Sequence, residues 1–202
     1  MLKNNLSVLL AEQGYSATDV YNATKISKTT LTSLVNNTGK GVQFDTINSL
    51  CKFLKVEPKD FFVYTIYDYE IRDFYQTDLF YTSNDPKNGD LLYIQTHYKL
   101  SVFIDDGILP TQFEYDLTAI DDVNDPTAGL VIELDEDEMN INLRSFKVLK
   151  DFFENSPKIF VNDFMNDLKT FIESKGVLEK NIERKITVRI FDKTTLIDFE
   201  NQ

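Results

Sequence analysis

Residues 16–37 read SATDVYNATKISKTTLTSLVNN, two short helices around a tight turn. Val20 and Ala23 make one apolar face of the first helix, Ile26 fills the turn, and Leu31, Leu34 and Val35 recur at spacings of three and four in the second. The opposite face of that second helix is left to Lys28, Thr29, Thr32, Ser33 and Asn36. Ser27 stands one residue before the run, where its hydroxyl accepts a first-turn backbone N–H, so it is the natural N-cap. A helix start bearing Lys28, Thr29 and Thr30 offers N–H groups, hydroxyls and one positive charge. That set suits a phosphate or a base edge.

Working outward, Leu6, Val8, Leu9 and Leu10 predict a first helix over about residues 4–13, ended by Gly14. After the polar loop NTGKGVQF, residues Phe44, Ile47, Leu50, Cys51 and Leu54 predict a fourth, amphipathic helix. Val56 and the run Pro58-Lys59-Asp60-Phe61-Phe62 predict a short fifth helix, with proline at a start where its missing N–H costs nothing.

The order, the spacing and the motifs ISKTTLTSLVNN and GVQFDTINSLCKFL resemble the XRE, or Cro/repressor-type, helix-turn-helix family over residues 4–62. Two positions depart from its usual pattern: Lys25 stands where the inter-helix turn usually has glycine, and Tyr21 where a small residue lets the helices approach. The resemblance implies a DNA-binding transcriptional regulator of the kind carried by phages, prophages and mobile elements, a repressor on a two-fold operator. It further implies that Lys28, Thr29, Thr32 and Ser33 face base edges. Ser16, Ala17, Thr30, Asn36, Asn37 and Lys40 are then expected near the phosphate backbone, with Ser27 capping the reading helix.

Charge is unevenly split. Residues 1–60 hold seven lysines, no arginine and five acids, a net +2 that leaves −14 for the remainder of a chain of net charge −12. Lysine and arginine supply most sequence-independent affinity for DNA, so one copy of so weakly basic a domain binds poorly. Two copies on a two-fold site double the contacts, and a homodimer formed through the rest of the chain is expected. The lone Cys51 lies on the apolar stripe of the fourth helix, excludes an intrachain disulfide and fits a reducing cytoplasm. No apolar run reaches membrane-spanning length, so a cytoplasmic protein without a membrane partner is expected.

From Val63 the texture turns aromatic, β-branched and alternating. Strands are predicted at 63–69, 91–105, 112–120 and 186–191, with a hairpin of 130–134 and 139–143 around the acidic tip Asp135-Glu136-Asp137-Glu138. Phe160, Phe164, Leu168, Phe171 and Ile172 predict a helix ending at Gly176. The expected fold is α+β: a five-helix domain over 1–62, then an acidic antiparallel-sheet domain over 63–202 with one or two packed helices, serving dimerisation or an effector.

Chemistry-bearing residues point elsewhere than to an enzyme. Ala128-Gly129, Ser156 and Lys193 are the residue types of an autocleaving repressor, but the dipeptide lies within strand sequence and the serine precedes Pro157. His97, the only histidine, has no partner at metal-ligand spacing, and the acidic tip lacks the glycine and alternate spacing of a calcium loop. No cofactor is expected. The sixteen phenylalanines and ten tyrosines fill a core more readily than they line a pocket. A protein partner or effector at the acidic domain is the competing expectation: a nucleic-acid mimic, similar in layout to some anti-CRISPR proteins with helix-turn-helix domains that repress their own operons. Acids gathered in rows on one face favour mimicry, and scattered ones favour plain solubility.

Overall fold

The computed structural model describes residues 1–82, 93–122, 130–134, 143–176 and 186–197. The chain divides into two units, Met1–Thr65 and Ile66–Gln202, each with its own core.

The first unit opens with β1 (Leu2–Asn4), continues through α1 (Leu6–Gln13), α2 (Ala17–Thr24), α3 (Lys28–Val35), α4 (Phe44–Leu54) and α5 (Pro58–Phe61), and closes with β2 (Phe62–Tyr64). Leu6, Leu9, Leu10, Val20, Leu31, Leu34, Ile47, Leu50, Cys51, Leu54 and Phe61 form one buried cluster. Burial pushes the Cys51 thiol up from its ordinary value, consistent with a packing role. Gly14 ends α1 at φ +71°, in the left-handed region where glycine carries no penalty.

Local expectations change at several places. Asn4, expected to start the first helix, belongs to a strand of residues 2–4, which pair antiparallel with β2 in the register Leu2↔Tyr64, Lys3↔Val63 and Asn4↔Phe62. The predicted strand 63–69 is two strands broken at residues 65–67: its first half joins β1, and its second half begins a different sheet. Ala23 is exposed, as are Val8 (40%) and Phe44 (93%). Phe44 is the first residue of α4 and lies beyond the part of the stripe that the core covers.

The second unit is a six-stranded sheet in the order β3 (Asp68–Thr82), β4 (Tyr93–Asp105), β5 (Thr111–Asp122), β6 (Leu130–Leu134), β7 (Ile186–Ile190), β8 (Lys193–Ile197). All neighbours are antiparallel except β6 and β7, which run parallel from Leu130↔Ile186 to Glu133↔Arg189. Parallel neighbours need a crossover, and α6 (Leu143–Asn155) and α7 (Lys158–Lys175) lie in it. The sheet is therefore mixed where a purely antiparallel one was expected, and the α+β class holds. Leu143 opens α6 instead of ending a strand; residues 139–142, the tip 135–138 and Ala128-Gly129 lie outside the described residues. Lys193 begins β8.

Strand alternation decides the two faces. Leu100, Val102 and Ile104 of β4, Tyr115 and Leu117 of β5, and Ile186, Val188 and Ile190 of β7 are buried on one face with Leu149, Phe152, Phe160, Phe164, Leu168 and Ile172 of the helices. The Tyr115 hydroxyl donates to the Ser145 carbonyl of α6 at 3.2 Å. The Tyr69 ring lies 5.0 Å from that of Phe164, and its hydroxyl donates to Asp167 at 2.7 Å. Among the described residues, no helix is long and apolar enough to cross a membrane.

Candidate nucleic-acid interface

Three caps build the helix pair. At the start of α2 the Ser16 hydroxyl accepts from the Asp19 N–H at 3.3 Å, and the Asp19 carboxylate accepts from the Ser16 N–H at 2.8 Å and its hydroxyl at 2.6 Å. This reciprocal capping box holds the Asp19 carboxyl below its usual range, first through the hydroxyl and then through the backbone bond. At the end of α2, Lys25 takes the left-handed conformation, φ +61°, and its N–H donates to the Tyr21 carbonyl at 2.9 Å. A side chain there costs on the order of 1 kcal/mol relative to glycine. At the start of α3 the Ser27 hydroxyl accepts from the Thr30 N–H at 3.1 Å, as the sequence predicts.

Leu31 and Leu34 turn inward, and Lys28, Thr29, Thr32 and Asn36 are exposed on the other side of α3. With Lys40 in the following loop, these residues form no side-chain hydrogen bond or ion pair among the described residues. The face expected to read base edges is therefore presented as a set of unmatched donors and methyl groups. Ser33 is half-buried beneath the loop, where a Cβ on Gly39 would come within 2.8 Å of its hydroxyl.

Several residues expected at phosphates also make hydrogen bonds within the unit. The exposed Ser16 hydroxyl is engaged in its cap with Asp19, and Ala17 beside it is exposed at the start of α2. The Thr30 hydroxyl lies 2.9 Å from that of Ser27. Asn37, at φ +52°, ends α3 and works as an extra rung on the edge of β1. Its Oδ1 accepts from the Asn4 backbone N–H and from Asn4 Nδ2, both at 2.8 Å, and its Nδ2 donates to the Asn4 carbonyl at 3.0 Å. Asn4 Nδ2 also donates to the Leu34 carbonyl at 2.9 Å, so this buried asparagine pair ties the end of the reading helix to the first strand.

Sequence reasoning assigned no role to the tyrosine of α2. Tyr21 is 37% exposed. The ammonium groups of Lys25 and Lys28 lie 5.9 and 5.7 Å from its ring centroid.

The second unit presents a contrasting polar surface. On the sheet face away from the helices, Lys99 bonds Asp116 at 2.6 Å, Arg72 bonds Glu70 at 2.8 Å, and Arg189 pairs with Glu133. His97 Nδ1 lies 3.2 Å from the Thr118 hydroxyl.

No curated protein and no solved structure matches the chain. Residues 5–65 match the family model of the Cro/C1-type HTH DNA-binding domain, ending at the residue where the first unit ends, so over that unit the chain is similar to the helix-turn-helix domains of DNA-binding regulators.

Proposed function

We propose that the chain is a sequence-specific transcriptional repressor that occupies a two-fold operator as a homodimer, with α3 in the major groove of each half-site. The observation that carries this is the capped, exposed face of α3, on which Lys28, Thr29 and Thr32 form no side-chain hydrogen bond or ion pair among the described residues. Lys28 reaches guanine O6/N7 and the threonine methyl groups meet thymine. Asn36, Lys40 and the N-terminal turn of α2 at Ala17 lie toward the backbone. The second unit supplies dimerisation, and no catalytic or cofactor step is assigned to it. Because the first unit carries little net positive charge, affinity depends on two copies acting together.

Plain solubility of the acidic unit is the reading favoured by the ion pairs among the described residues. Glu70, Asp73, Asp106, Asp116, Glu133 and Asp192 each sit against a lysine or arginine, and they are spread over β3, the β4–β5 loop, β5, β6 and the β7–β8 turn. Unpaired carboxylates in rows are the feature that mimicry requires.

The test is binding of the purified full chain to duplex DNA from upstream of its own gene across a salt series, wild type against Lys28→Ala with Thr32→Ala. Wild-type binding that steepens at low salt and falls about 100-fold in the double variant is expected, each good base contact contributing about 1–3 kcal/mol. Equal binding by both proteins rejects α3 as the reading element.

A further inference from the structure

We propose that Tyr21 is a positioning residue of this DNA-binding surface, gathering the ammonium groups of Lys25 and Lys28 on one ring and so holding Lys25 toward the phosphate backbone beside the base-reading Lys28. The inference rests on the DNA-binding reading above and adds to it a residue that does not itself read a base.

Tyr21 lies in the last turn of α2, Lys25 is the left-handed residue that ends it, and Lys28 is the first residue of α3 across the turn. Both ammonium groups come within 6 Å of the same centroid, at 5.9 and 5.7 Å, the range in which the negative face of an aromatic ring attracts a cation. Neither lysine has a carboxylate partner among the described residues. Two like charges drawn to one ring repel each other until an anion joins them, and a DNA phosphate is the anion that this surface meets. Lys25 sits at φ +61°, a conformation that glycine adopts without penalty and a lysine does not.

The experiment compares the full-length wild type with Tyr21→Phe, Tyr21→Leu and Lys25→Gly. It uses a duplex from upstream of the gene and a scrambled duplex of the same length, each across a salt series, with the melting temperature of every variant alongside. Tyr21→Phe keeps the ring and is expected to bind as wild type. Tyr21→Leu is expected to bind both duplexes about fivefold more weakly, with a shallower dependence on salt because a phosphate contact is lost. Lys25→Gly is expected to raise the melting temperature while weakening binding, opposite signs that a purely structural residue does not give. Wild-type affinity and salt slope in Tyr21→Leu overturn the proposal, as does a Tyr21→Phe variant as weak as Tyr21→Leu, which assigns the effect to the hydroxyl. If wild type fails to prefer the upstream duplex, the operator reading falls for that DNA. The scrambled duplex still decides the role of Tyr21, since phosphate contacts carry no sequence information.

Discussion

The exposed face of α3 and the open face of the six-stranded sheet are both polar and both carry lysine or arginine, yet they differ in how those cations are spent. On the sheet, Lys99, Arg72 and Arg189 each hold a carboxylate from the same or the neighbouring strand, so these cations are not free to meet a nucleic acid. On α3 and its turn, Lys25, Lys28 and Lys40 hold none among the described residues. The lesson is that net charge, +2 against −14 by sequence, understates the difference. What marks a binding surface is donors left unmatched on a backbone that is itself fully capped.

Charge reversal on each face breaks the comparison most directly. Lys28→Glu places a carboxylate in the first turn of α3 and is expected to reduce binding to upstream DNA by more than about 100-fold, combining a lost base contact with repulsion of phosphates. Lys99→Glu sets two carboxylates against each other beside Asp116 and is expected to lower the melting temperature of the second unit, like charges directly opposite on neighbouring strands being destabilising. Its DNA affinity is expected to stay within about twofold of wild type at a temperature where the protein is folded. Comparable losses of affinity in the two variants would show that the sheet face also meets DNA.

The next largest effect separates holding the reading helix from being read. Asn37→Ala removes three hydrogen bonds to Asn4 and leaves a side chain in the left-handed region. The expected loss is about 2–3 kcal/mol in urea unfolding followed by helical signal. Asn37→Gly relieves the backbone strain and is expected to recover about 1 kcal/mol of that. Unchanged stability with lost DNA binding would instead return Asn37 to the phosphate contacts that the family resemblance implies.

Asn37 also illustrates what was legible in the sequence. The helices of the first unit are set by signals within four residues: Ser16 with Asp19, Ser27 with Thr30, Gly14 after α1, and the apolar spacing of Leu31 and Leu34. The Ser27 cap, Gly14 and the apolar spacing are read before any tertiary contact is known, whereas the Ser16–Asp19 pair, equally local, is seen first in the structure. The engagement of Asn37 by Asn4 spans 33 residues, and β1 pairs with a strand some sixty residues away, so neither leaves a local trace. The same holds for the parallel junction of β6 and β7, whose apolar alternation is the same whichever way the strands run. The stripe Val148, Leu149, Phe152 and Phe153 of α6 does have helical spacing.

The smallest effect tests whether the pairing on the second unit is structural. Asp106 follows β4 with its side chain 10% exposed, bonded to Arg144 of α6 at 3.0 Å and accepting from the N–H groups of Ile108 and Leu109 at 3.0 and 2.9 Å. The Leu109 bond chiefly, with the Ile108 bond and the Arg144 charge adding to it, holds the carboxyl below its usual range against the opposing effect of burial. A carboxyl whose folded pKa is depressed stabilises the fold above its unfolded value and loses that contribution as pH falls through the folded one. The unfolding free energy of the second unit is therefore expected to hold from neutrality down to about pH 4 and to drop below it. Asp106→Asn keeps an acceptor for the two N–H groups but not the charge, and is expected to cost about 1 kcal/mol at neutral pH and to flatten the acid limb. An acid limb unchanged in Asp106→Asn would mean that Asp106 contributes nothing to it, and that the lowered carboxyls of Asp73 and Asp192 carry the whole dependence. Arg144→Gln distinguishes the two parts of the site. It removes the ion pair but leaves both N–H bonds to the carboxylate, so it is expected to cost less than Asp106→Asn and to keep most of the acid limb, since the backbone bonds and not the guanidinium are the larger cause of the shift.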